Sequence, residues 1–95
     1  MSAYLIFTRE RMRDPVGFES YNKAARLTAE GHKVEPIVFN GACETLEGAD
    51  VGGVVILKFP SMEAGKFWYN SESYQKVRDQ RLLSADYRVI LTEGL

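Results

Sequence analysis

One cysteine, Cys43, and one histidine, His32, are all that 95 residues hold of the side chains most used in metal, redox and proton chemistry. A lone cysteine excludes an intrachain disulfide and fits a reducing compartment, so a cytoplasmic protein is expected. One His and one Cys separated by a strand give no ligand spacing, and no metal is assigned. Long apolar runs are also lacking: none approaches the roughly 20 residues that cross a bilayer. The first run, Ala3 to Phe7, is too short for a secretory leader. The expectation is a soluble, unexported chain with no membrane partner. Neither sign of charge prevails, since 12 basic against 13 acidic side chains leave a net charge of −1. That balance supplies no field for a phosphate backbone, and nucleic acid is not expected as a partner. Gly48 and Gly52-Gly53 precede a strand, not a helix, so they make no phosphate loop, and no Gly-x-Ser-x-Gly elbow occurs. No cofactor is expected.

What is present is an ordinary globular composition, 45% apolar and 26% charged, read as one domain over residues 1–95. A chain of this size buries only about 60 to 65% of its unfolded surface, so association would add stability. Residues 3–9 read as a strand. Asp14-Pro15 supplies an N-cap and a first-turn proline, and Phe18, Tyr21, Ala25 and Thr28 then mark one face of a helix down to Glu30, with Gly31 ending it. Lys33 to Phe39 is a second strand, which Pro36 assigns to a sheet edge, and Gly41 is read as a bulge. Val51 to Phe59, almost continuously apolar, belongs in the middle of the sheet. Ser61 caps a short helix with Ala64, Phe67 and Trp68 on its packing face, Ser71 caps another, and Tyr87 to Thr92 is the last strand.

The order β-α-β-β-α-β, with the second helical slot split, predicts an α+β ferredoxin-like sandwich with one antiparallel sheet and the helices on one face. A half-covered sheet alternates apolar and polar residues. Here Tyr4 and Ile6 oppose Leu5 and Phe7, and Val54 and Ile56 oppose Val55 and Leu57, so both faces read as buried. The helices cover one, and a second copy is the simplest cover for the other. A sheet-to-sheet homodimer is expected.

Several segments carry a resemblance: Phe59-Pro-Ser-Met-Glu-Ala, Trp68-Tyr69-Asn70-Ser71 with Tyr74-Gln75, Arg81, Leu46-Glu47-Gly48, and the closing Val89-Ile90-Leu91-Thr92-Glu93-Gly94. In these the chain resembles the small bacterial proteins of domain-of-unknown-function family 1330, within the dimeric α+β barrel superfamily. Members often carry Gly-Gly where this chain has Gly31-His32. The resemblance implies the dimeric α+β barrel. Superfamily relatives include cofactor-independent monooxygenases and isomerase-like or dismutase-like enzymes, which bear on this chain by analogy only.

His32 is the only side chain whose ordinary pKa suits proton transfer near neutrality, which makes it the catalytic candidate. At a helix end it also fits simple interaction with the last carbonyls. Cys43 beside Glu44 reads as a small packing residue. On the last helix Tyr74, Val77, Arg78, Arg81 and Ala85 share one stripe. Either the arginine stems pack while their heads reach solvent or a carboxylate, or Arg78 and Arg81 clamp an anion beside a cavity lined by Tyr21, Trp68 and Tyr74. The aliphatics of the central strands stand where RNA-stacking rings would be required. Two functions follow as expectations: a small-molecule-binding or stress-related homodimer without chemistry, or a cofactor-independent enzyme acting on a small apolar acid or phenolic compound. Besides the second copy, a small organic anion is a candidate partner.

Overall fold

The computed structural model describes residues Met1–Leu95. Strands β1 (Ala3–Met12), β2 (Glu35–Phe39), β3 (Gly53–Phe59) and β4 (Ala85–Glu93) form one antiparallel sheet in the order β2-β3-β1-β4. Helices α1 (Pro15–Thr28), α2 (Met62–Tyr69) and α3 (Glu72–Ser84) complete a ferredoxin-like α+β fold. β2, with its proline, is an edge strand and β3 is central, as the sequence predicts.

The helix starts are side-chain caps. Asp14 accepts from the Gly17 amide, Ser61 from Ala64 and Ser71 from Tyr74, each satisfying one of the free amides of a first turn. Gly65 lets α2 lie close to the sheet: a Cβ there would meet Leu91 Cδ1 at 3.0 Å. α3 passes into β4 without a loop. The Ser84 carbonyl at that junction accepts the amides of Arg13 and Asp14 at 2.8 and 3.0 Å, pinning the end of α3 to the start of α1.

Register decides what each face presents. On the helix side Phe39, Val55, Phe7 and Val89 form one row, and Pro36, Leu57, Leu5 and Leu91 the next. On the opposite side Val38, Ile56, Ile6 and Ile90 stand in a single row across all four strands. The row of Glu35, Lys58, Tyr4 and Thr92 flanks it on one side, and Val54, Thr8 and Arg88 flank it on the other.

Some expectations are corrected. β1 continues past residue 9 to Met12 through an irregularity between Arg9 and Arg11. α1 ends at Thr28, two residues short of Glu30, and Gly31 adopts φ +83 in the following turn. The sheet irregularity of β2 lies between Pro36 and Val38, not at Gly41, because the edge proline has no amide for the ladder. Ala85 starts β4 and is not on the α3 stripe. Cys43 is exposed, not packed, and Phe67 is 73% exposed, because only Trp68 of that pair points to the sheet. No helix is long and apolar enough to cross a membrane.

Candidate functional site

α1 packs along α3 and stands off the β2–β3 half of the sheet, and the space left between them is a cavity of about 440 Å³. That size falls in the range of small-molecule sites. Its floor is the buried trio Phe7, Tyr21 and Trp68, with Val55, Leu57 and Tyr87 around it. Its mouth lies between the second half of α1 and the edge strand, where the exposed Arg26, Leu27 and Glu30 face Pro36 and Phe39.

The floor belongs to an aromatic cluster. Trp68 lies on Tyr74 with ring centroids 4.2 Å apart, and its Nε1 donates to Thr28 Oγ1 at 3.2 Å. The hydroxyls of Tyr21 and Tyr74 are hydrogen-bonded. Burial raises the pKa of both phenols. For Tyr21 the neighbouring Tyr74 adds to the rise, whereas the Arg81 charge opposes it for each. Tyr87 is raised by burial too, against the opposing influence of Arg9 and Arg81. These phenols are therefore neutral donors, not bases.

Arg81 is 3% exposed. Its guanidinium lies 5.2 Å from the Tyr87 ring centroid and 5.8 Å from that of Phe7, and its Nε is buried without a partner. Arg9 lies 4.9 Å over Phe18 and donates to the Gly52 carbonyl. Arg26, from α1, lies 4.7 Å over the Phe39 ring of β2. The molecule's ion pairs join Arg13 to Asp86 and Lys76 to Glu72, and neither includes Arg9, Arg26 or Arg81.

Of the residues singled out from sequence, Tyr21 and Trp68 line the cavity, and Tyr74 stands behind both. Arg81 lies behind Phe7 and Tyr87 and does not line it. Arg78 is half-buried beside Tyr69, whose hydroxyl favours its charged form and raises its pKa. His32 sits at the mouth against the exposed Phe67, ring centroids 5.7 Å apart. No three His, Cys, Asp or Glu side chains gather as a metal group. Sequence reasoning missed Arg9, Arg26 and Phe39. Asn22 and Arg26, four residues apart on α1, were the available signal that a polar stripe borders the apolar one.

Residues 2–95 match the family described as "Domain of unknown function (DUF1330)". The chain belongs to this family. Among proteins of curated function none matches it. Three solved structures share the fold of this DUF1330 chain. A protein of unknown function from Rhodopseudomonas palustris is 19% identical, with a TM-score of 0.73 over 99% of this chain and 82% of that one. SnoaB, a cofactor-independent oxygenase from Streptomyces nogalater, is 10% identical, with a TM-score of 0.69 over 99% and 93%. A dimeric ferredoxin-like protein of unknown function from Thermobifida fusca is 10% identical, with a TM-score of 0.70 over 99% and 92%.

Proposed function

We propose that this DUF1330 protein is a homodimeric binding protein whose protomers each hold a small, flat, apolar organic anion between α1 and the sheet. The observation that carries the reading is the aromatic floor backed by Arg9 and Arg81, neither of them ion-paired. Rings and aliphatics suit an apolar body, the neutral Tyr21 hydroxyl can donate to an oxygen, and the unpaired guanidinium charges favour a negative ligand over a positive one. The unpaired, exposed Cys43 thiol supports work in a reducing cytoplasm.

The dimer rests on the aliphatic row Val38, Ile56, Ile6 and Ile90, an apolar stripe bordered by charges of both signs, Glu35, Lys58 and Arg88. A second copy supplies a matching stripe, and a ferredoxin-like neighbour is itself described as dimeric.

The test is a titration followed by Trp68 fluorescence, the only tryptophan and part of the cavity floor. Hydrophobic carboxylates and phenols are the probes. Saturable quenching with one site per protomer is expected, and Ala25→Phe, which fills the cavity from α1, should abolish it while the fold persists. Quenching that survives Ala25→Phe would put the ligand elsewhere.

The alternative, a cofactor-independent oxygenase acting on a phenolic compound, draws on the fold shared with SnoaB. It requires a base at the cavity. The one imidazole there, His32, is at the mouth. Oxygen uptake with a phenolic probe, lost in His32→Gln, would favour that reading over binding alone.

A further inference from the structure

We infer that Arg26 is the residue that recognises the charged group of the cavity's ligand, so that the ligand binds with its carboxylate at the mouth and its apolar body inside. The inference rests on the binding role proposed for this cavity and adds the ligand's orientation and its specificity residue.

Three observations lead to Arg26 and away from the deeper arginines. First, Arg26 lines the cavity, whereas Arg81 and Arg9 lie behind its wall. Second, Arg26 is exposed and Arg81 is 3% exposed. A carboxylate at the mouth keeps part of its hydration, whereas one drawn to Arg81 would surrender nearly all of it. Third, the guanidinium of Arg26 lies over the Phe39 ring, its Cζ 4.7 Å from the centroid, which joins α1 to the edge strand across the opening. Arg26 enters neither ion pair, so its guanidinium has no carboxylate partner within the protein and its fork of N–H donors is available to one from a ligand.

The position at the end of α1 would by itself favour a cation, since Arg26 stands in the last turn. The helix end does not explain the contact with another element. Glu30 and His32 share the mouth. Glu30 is the one carboxylate among the lining residues, and it forms no ion pair with Arg26 although it is four residues on. Opposed to it are the charges of Arg26, Arg9 and Arg81, so the balance around the cavity favours an anion.

Isothermal titration of 2-naphthoate and its neutral isostere 2-naphthamide separates this inference from the binding role beneath it. Wild type should bind naphthoate about tenfold tighter than the amide or better, the worth of a charge-assisted hydrogen bond. Arg26→Gln should lower naphthoate affinity by about tenfold and leave naphthamide within about twofold, while Arg26→Lys keeps part of the preference. An unchanged naphthoate affinity in Arg26→Gln would overturn the inference and leave the cavity reading standing. So would equal binding of acid and amide by wild type. Failure of both compounds to bind would remove the cavity reading and this one with it.

Discussion

The hydroxyls of Tyr21 and Tyr74 lie 2.8 Å apart in the interior, one carried by α1 and the other by α3. Tyr74 has no exposed surface, and apart from Tyr21 the group that interacts with its hydroxyl is Arg81. Tyr21→Phe should destabilise the protein by about 1 kcal/mol, the cost of a buried hydroxyl that loses one partner and keeps Arg81, and Tyr21→Phe with Tyr74→Phe should recover part of that loss. Urea unfolding of the three variants measures it. Additive losses would mean that the pair is not coupled.

Three raised phenol pKa values, at Tyr21, Tyr74 and Tyr87, fix the sign of the alkaline response. In the unfolded chain these groups ionise near the ordinary tyrosine value of about 10, while in the folded state they stay protonated to higher pH. The unfolded state then holds fewer protons, so stability is full below about pH 10 and falls as the pH rises above it. Tyrosinate absorbance near 295 nm, followed with circular dichroism on raising the pH, should show these phenols ionising only as the fold is lost. Full ionisation of all five tyrosines in a folded protein would contradict the burial argument.

Trp68 is 3% exposed and is held by the Tyr74 ring and the Thr28 hydroxyl. Trp68→Ala removes the largest side chain of the cavity floor and should cost about 3 to 5 kcal/mol. Thermal unfolding checks this, and a midpoint equal to wild type would show that the indole is not part of the core.

Arg81 has no carboxylate partner, so its substitution strands no opposite charge. Arg81→Met keeps the packing of the stem and removes the desolvated guanidinium, at the loss of its contacts with Phe7 and Tyr87 and of its interaction with the Tyr74 hydroxyl. The net effect should be a gain of about 1 kcal/mol in stability without ligand, because burying an unpaired charge costs more than a ring contact returns. A lowered melting point would reverse that ranking.

Ile56 is central in the aliphatic row of the open sheet face, between Val38 and Ile6. Ile56→Lys puts a charge in the middle of the interface proposed for the dimer, and light scattering at micromolar concentration should change from twice the chain mass to once. A wild-type monomer with a compact fold would end the dimer reading at once.

Much of this architecture was legible in local chemistry. Asp14, Ser61 and Ser71 announced their helices because a cap acts within three residues, and Pro36 marked an edge because it lacks an amide. The double apolar character of β1 and β3 was equally local, since alternation along a strand assigns residues to faces without knowledge of the neighbours. The sequence could not align Val38, Ile56, Ile6 and Ile90 in one row, because register depends on which strands pair and where β2 breaks step. Nor could it show that α1 leans on α3 and leaves the cavity open, that Phe67 turns outward, or that Arg26 meets Phe39 from 13 residues away. Those depend on distances between elements, which helix packing against the sheet sets and no single segment encodes.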